Sequence, residues 1–485
     1  MFPLLNLANE IIIEIFKCVQ DDDYRDVISL AQTCTRLQKL AKEQLFKQVC
    51  LGGGGQTERL SKCLNRRPER FKYMQVLEVT SKANTFYEIE MVPNLVKQMS
   101  NLRKLRIVGL LSNGYKLRCL RVDRRMASIA SMAMHIAVIE AANSLGPAVV
   151  DTPLQNLVSL TLLSCDWETG FADIQTLLPI LLSPTLTYIH ISCVFLTGRV
   201  GLPSSIRESP WPKTPLKTLI LERGSFEARA LRFLLGLPRN LYFLSLDEIG
   251  SELCNEQDFK SLNSNIVEIL HAIRQRKHSL QVFKHRCWDQ DLPGGTPSDI
   301  TPTKFLQGLS DFKALIALRL SKGSLLNQVV CLPDLGPPAL KTYCITNVDW
   351  RDVETWKSAL PSLRRSGLHL ELWHRGSSLR EESNPLPMEW VRETVQLAQM
   401  LKDMNMTFAF TNGRIPPGIP STAIVYFDSA RYWVEGDKFP KEQANLGTIT
   451  SATGEDVDPR FTSEDNVGTL LAAKMMADYL LAGGA

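Results

Sequence analysis

Leu216-Lys217-Thr218-Leu219-Ile220-Leu221 and Leu241-Tyr242-Phe243-Leu244-Ser245-Leu246 are written in one phrase: an apolar residue, two free positions, an apolar residue, one free position, an apolar residue. The phrase recurs as Met74-Leu77-Val79, Leu102-Leu105-Ile107, Leu157-Leu160-Leu162, Leu186-Ile189-Ile191, Leu315-Leu318-Leu320 and Leu340-Tyr343-Ile345. Weaker copies stand at Leu280-Phe283-His285 and Leu368-His369-Leu370. Successive copies are mostly about 25–30 residues apart, with longer gaps where an insertion or an unread copy falls. The last two apolar residues of each copy are spaced i, i+2, one face of a strand, and the first fills the turn leading into it. A single strand cannot hide that face, so neighbours must stack and share a continuous core. The phrase therefore predicts a repeat array.

Between copies lie helix-like stretches such as Phe226–Leu235 and Phe259–Arg276, which would line the outside while parallel strands line the inside. The period is close to the roughly 20–29 residues of leucine-rich repeats. The body resembles an irregular leucine-rich-repeat solenoid of α/β class, without the asparagine ladder of regular repeats. Two Pro- and Gly-rich stretches, Leu202–Pro215 and Asp289–Thr303, read as connectors or binding loops. The tail from 412 to 485 reads as an irregular segment ending in a helix capped by Ser463, which would close the open end of the array.

Upstream of the repeats, Leu7–Val19 carries Ile11, Ile15 and Val19 on one helical stripe, Ile12 and Phe16 on the next, and Ile13 on a third side. A helix apolar on so many sides is expected to be covered twice. Asp21-Asp22-Asp23 ends it, Asp26 favours the start of a second helix through Val27, Leu30, Ala31 and Cys34, and Thr35 with Gln38 forms a capping-box pattern before a third through Leu37, Leu40, Ala41 and Leu45. Three short helices in some fifty residues are near the lower limit for an independent fold, so the unit should dock on something. Gly52–Gly55 reads as a flexible joint. The expected layout is a helical unit over 1–50, a linker and first connecting helix over 51–68, a repeat body over 69–411, and the C-terminal segment from 412.

These helices resemble the F-box, particularly of fungal type, through Leu7, Glu10, Ile11, Ile15, Leu30, Cys34, Arg36 and Leu37, with Ala8 where that family usually has proline. The resemblance implies binding of a Skp-type adaptor, and through it a cullin, by Leu7, Glu10, Ile11, Ile15, Leu30, Cys34 and Leu37. The repeat body would then hold a protein substrate for ubiquitin transfer. The alternative is a leucine-rich scaffold whose N-terminal helices only cap the array.

Composition narrows the remaining classes. With 44% hydrophobic and 22% charged residues the chain has the balance of a folded globular protein. A net charge of +4, from 55 basic and 51 acidic residues, gives no support for nucleic acid or an anionic membrane as partner. The start lacks the pattern of a secretory signal, and the 11 cysteines include no C-x-x-C pair, which together point to the cytoplasm or nucleus. Met126–Val150, interrupted by His135, Glu140, Asn143 and Gly146-Pro147, reads as a buried helix rather than a membrane span. No constellation for catalysis, a metal or a cofactor emerges: His278, His285 and Cys287 lack a zinc spacing, and no Lys-Ser/Thr follows the glycine run. The cluster Lys116, Arg118, Arg121, Arg124 and Arg125, and Trp167, Trp288, Trp350 and Trp373 near strand ends, read as solvated surface and core with a second use as partner contacts.

Overall fold

The computed structural model describes residues 3–22, 24–52, 55–80, 86–108, 136–140, 154–163, 174–196, 214–248, 266–287, 308–330, 335–348, 368–374, 400 and 407–412. They fall into two compact units, Met1–Leu241 and Tyr242–Ala485.

The first unit opens with a 3-10 turn, Pro3–Asn6, and helices α1 (Asn9–Asp22), α2 (Tyr24–Thr33) and α3 (Thr35–Lys47). Strands β1 (Gln48–Leu51), β2 (Val76–Thr80), β3 (Lys104–Val108), β4 (Ser159–Leu163), β5 (Tyr188–Ser192) and β7 (Thr218–Phe226) lie side by side in chain order, all parallel. A short β6 (Phe195–Leu196) pairs with the far end of β7. Helices α4 (Gln56–Arg66), α5 (Phe86–Val96), α6 (Ile174–Leu181) and α7 (Ala228–Gly236) connect them.

The second unit repeats the plan. Strands β8 (Phe243–Glu248), β9 (Val282–Cys287), β10 (Ala317–Ser321), β11 (Thr342–Val348), β12 (His369–His374) and β13 (Thr407–Asn412) are again parallel and in chain order. Helices α8 (Ile266–Ile273) and α9 (Leu326–Val330) are interposed.

The phrase explains this order. In the first unit the strand registers stack Val49, Leu77, Leu105, Leu160, Ile189 and Leu219 in one inward column, and Leu51, Val79, Ile107, Leu162, Ile191 and Leu221 in the next. The first residues of the phrase, Met74, Leu102, Leu157, Leu186 and Leu216, are buried under them. The two units are thus α/β arrays of solenoid-like construction, as the phrase predicts.

Backbone hydrogen bonds fix the step from one copy to the next. The carbonyl of Arg103 accepts from the N–H groups of Val158 and Ser159 at 2.8 and 3.0 Å, and that of Val158 accepts from Thr187 and Tyr188 at 2.9 and 3.2 Å. Gln75, Thr187, Tyr242, Gln281 and Ile316 do the same for the copies that follow them. The acceptor is always the second residue of the phrase. A short side-chain ladder accompanies it: Asn101 Nδ2 donates to the Lys72 carbonyl at 2.7 Å and Asn156 Nδ2 to the Ser100 carbonyl at 3.0 Å. Asparagine therefore does bridge copies, one residue ahead of the phrase rather than after it.

Several expectations are corrected. Phe46-Val49-Leu51 is the first copy, because Lys47 supplies the ladder carbonyl to Gln75 N at 2.9 Å and β1 pairs with β2. The boundary at residue 50 therefore falls inside β1, and the glycine run is a strand-to-helix turn in which Gly55, at φ +78, precedes α4. The Leu368 copy is shifted: Tyr343 and Ile345 stand opposite Leu370 and Leu372, not Leu368 and Leu370. Phe226 ends β7 and the helix starts at Ala228. Of Phe259–Arg276, α8 and a 3-10 turn over Arg274–Arg276 are described.

Within Met126–Val150 only 136–140 is described, helical with Ile136, Val138 and Ile139 buried. The 116–125 basic cluster, Asp289–Thr303, residues 202–213, Trp167, Trp288, Trp350, the Trp373 side chain and the segment after Asn412 lie outside the described residues. Among the described residues no helix is long and apolar enough to cross a membrane.

The column arrangement has a direct test. Leu160→Ala, in the fully buried column, should lower stability by about 2–5 kcal/mol. Val158→Ala, two residues away and exposed, should change it by less than about 0.5 kcal/mol. Equal urea midpoints for the two variants would exclude the inward assignment.

Candidate partner-docking surface on the N-terminal helices

Helix α1 turns Ile12 and Phe16 into a closed core with Val27, Ala31, Leu37 and Ala41, and Leu7, Leu30 and Cys34 pack half-buried around it. That core uses only one stripe of α1. Ile11, on the adjacent stripe, is 50% exposed and Ile15, one turn on, is half-buried. Leu5 in the lead-in turn and Ile28 on α2 add exposures of 46% and 37%. Among the described residues of the first unit the only other large apolar side chain so exposed is Val158.

The residues carried over from sequence thus divide. Leu7, Leu30, Cys34 and Leu37 are gathered in and around one core, whereas Glu10 and Ile11 stand outside it. Leu37 is 3% exposed and is corrected from surface contact to interior support. Leu5 and Ile28 were missed, although an apolar residue off the buried stripe of a short helix is the signal that finds Ile11.

Local chemistry sets the entry to these helices. Arg36 donates to the carbonyls of Leu5 and Leu7, the latter at 2.8 Å, and to Asn9 Oδ1 at 2.8 and 3.3 Å. One planar guanidinium therefore holds the lead-in segment against the start of α3. Ala8, lacking proline's fixed φ, presents its carbonyl to the N–H groups of Ile11 and Ile12, each at 3.1 Å. The expected capping box is replaced by Cys34, extended at φ -158, whose Sγ accepts from Leu37 N at 3.5 Å. Thr35 is already the first residue of α3. Asp26 lies in the first turn of α2 as expected.

The unit is also fastened to the first repeat. Lys42 Nζ lies 3.3 Å from Glu69 Oε1 and the Arg70 guanidinium sits 4.8 Å from the centre of the Phe46 ring. Residues 68–73 form the 3-10 turn that receives both contacts.

A second polar cluster lies in the interior of the second unit. His285 Nδ1 is 2.7 Å from Ser324 Oγ and His285 Nε2 is 3.3 Å from Glu248 Oε2. A neutral imidazole meets both bonds by donating from Nε2 and accepting the Ser324 hydroxyl proton at Nδ1. The order Ser, His, Glu is that of a hydrolytic triad, but the His285 and Glu248 side chains are 0% and 1% exposed and Ser324 is 2% exposed. A substrate carbonyl has no route to Oγ, so the bonds tie strands together. The network continues through Asn327 Nδ2 to the carbonyls of Ser321 and Lys322 at 2.8 and 3.0 Å, and from Tyr343 OH to Asn327 Oδ1 at 2.7 Å. His278 is exposed and apart from this cluster, and the described residues hold no group of His, Cys, Asp or Glu suited to a metal ion.

In the first unit, burial pushes the Cys50 thiol up, and the Glu78 carboxylate, 4.0 Å from its sulfur, adds to this. Cys50 is thereby kept in its less reactive form. No protein-family model matches the chain, and no curated protein matches it.

The buried cluster predicts coupling between its members. His285→Leu leaves a carboxylate stranded in the interior and should cost about 3–5 kcal/mol. Glu248→Leu added to it should cost less than the sum of the two single changes, measured by urea denaturation; strict additivity would show that the two side chains do not act together.

Proposed function

We propose that the protein is the substrate-binding subunit of a Skp–cullin–F-box ubiquitin ligase. In this reading the N-terminal helices seat a Skp-type adaptor, which brings in the cullin, and the repeat body holds a protein substrate. The observation that carries it is the apolar surface left over on a small, otherwise closed three-helix unit: Leu5, Ile11 and Ile28 exposed, Ile15 half-buried. Exposed apolar side chains concentrated in one short segment support a partner surface. The sequence resemblance at Leu7, Glu10, Ile11, Ile15, Leu30, Cys34 and Arg36 supports the adaptor as that partner.

A scaffold reading, in which these helices only cap the array, draws on the contacts of Lys42 and Phe46 with residues 68–73. Both readings need α3 docked on the first repeat, so deleting the helices does not separate them. Adaptor binding does.

Ile11→Asp combined with Ile28→Asp should abolish co-elution with a Skp-type adaptor while leaving the urea midpoint within about 0.5 kcal/mol of the parent, as expected for exposed positions. Leu30 is a poor choice for this test because it packs on the core. Failure of the parent chain to co-elute with the adaptor would sink the ligase reading and leave the scaffold.

A further inference from the structure

We propose that the outward sheet face of the second unit, centred on Lys284 and Arg319, binds an extended anionic segment of a protein. This deepens the receptor reading above, on which it rests for calling that protein a substrate.

Side chains alternate along each strand, so the residues between the inward columns share the opposite face. On β8 to β11 the registers set Ser245, Lys284, Arg319 and Cys344 in one outward row, and Asp247, Arg286, Ser321 and Thr346 in the next. Lys284 stands directly opposite Arg319, and like charges so placed on adjacent strands repel. Arg286 adds a third cation two residues along the same strand, 46% exposed and 3.9 Å from Asp247, at the limit of an ion pair. An anion laid across the row relieves the repulsion; water does so less well because Lys284 and Arg319 are half-buried.

The neighbouring row supplies a floor. Phe243, Val282, Ala317 and Thr342 follow one another in register, and the Lys284 ammonium lies 5.0 Å above the Phe243 ring. The ring holds that cation over the sheet. A row of small or flat residues beside a row of cations fits a peptide backbone with acidic side chains. The first unit places its charges differently: Lys104 meets Glu78 of the adjacent strand at 2.8 Å on the equivalent face. Cation there meets anion within the sheet itself.

The chemistry shared by a carboxylate and a phosphate is what the row recognises, and two probes distinguish them. Fluorescein-labelled twelve-residue peptides rich in Asp and Glu, with phosphoserine in place of the acids, and with Lys in place of the acids, are titrated with the full chain by anisotropy. Either or both anionic peptides should bind, more weakly as salt rises, and the lysine peptide should not. The tighter of the two names the anion. Lys284→Glu with Arg319→Glu should weaken anionic binding by about tenfold or more and confer binding of the lysine peptide. Lys284→Met with Arg319→Met, which keeps the apolar stems, should give the loss alone and covers the case in which the reversal fails to fold. Lys217→Glu, an exposed change in the first unit, should have no effect. Equal binding of all three peptides, or anionic binding untouched by the methionine pair, overturns the proposal. Adaptor co-elution measured on the same variants keeps the two readings apart: retained adaptor with no anionic binding removes only this inference, and anionic binding without adaptor removes only the ligase.

Discussion

In repeat after repeat, one carbonyl on the second residue of the phrase accepts two N–H groups from the repeat that follows, and the rest of the architecture depends on that step. It locks neighbouring strands in parallel at the hydrogen-bonding spacing and in a fixed phase, so inward residues meet inward residues. A slip of one residue would turn every leucine of a strand outward. The connection between two rungs is almost unconstrained by comparison. Arg103 bonds to Val158 and Ser159 across a long insertion, while Tyr242 bonds to Gln281 and Val282 across a shorter one, with the same geometry. Loop closure grows costlier only slowly with length, so the period can wander as long as the phrase resumes. Irregularity in the sequence is thus compatible with regularity in the sheet.

The same constraint decides what a polar residue inside the array must do. His285 occupies a column position otherwise filled by Leu246, Leu320, Ile345 and Leu372. It cannot leave, because the ladder holds β9 in phase, and a bare imidazole there would lose its hydrogen bonds to water. Glu248 and Ser324 meet its two nitrogens, and the chain beyond β10 is drawn in through Ser321 and Asn327 to Tyr343. Ser321 Oγ accepts from Cys287 N at 2.8 Å, closing the link to β9. A cost in desolvation is offset by fastening β8, β9, β10 and β11 through side chains as well as backbone.

How much of this could be read beforehand follows from which signals survive in one dimension. The inward columns were legible because leucines at i and i+2 with a third at i-3 match a strand face and its entry turn, and break a helical stripe. Phe46-Val49-Leu51 escaped because it overlaps the end of α3, where Leu37, Leu40, Ala41 and Leu45 set a helical period and mask the change to a strand. Leu368, Leu370 and Leu372 alternate without a break, so two phases fit the sequence equally and only the pairing with Tyr343 and Ile345 chooses. Cys34 displaced Thr35 as cap because a cap is defined by backbone angles, which a four-residue pattern does not contain. At the docking surface, Ile11 was legible from the circumference of α1. Ile28 was not: α2 has one buried stripe, and an isoleucine beside it looks like core until the core is seen to close without it. The outward cationic row needed the register itself, since Lys284 and Arg319 are far apart in sequence and opposite each other only across a strand pair.

The N-terminal helices are joined to the sheet by construction rather than by a tether. Residue Lys47 ends α3 and its carbonyl is the first rung of the ladder, so the helix and the sheet share a residue. The exposed ion pair of Lys42 with Glu69 adds little by itself. The greater part comes from Phe46, which begins the first copy of the phrase and also carries the Arg70 guanidinium on its ring. A partner seated on Ile11 and Ile28 is consequently held at a fixed position relative to β1 and β2. That rigidity has a mechanical use in a receptor: if the helices hung from a flexible glycine joint, a bound adaptor would sample many orientations and dilute its effective concentration at a substrate held by the same unit. Placing the glycines after β1 instead of before it leaves the turn into α4 adjustable and the path from docking surface to sheet stiff.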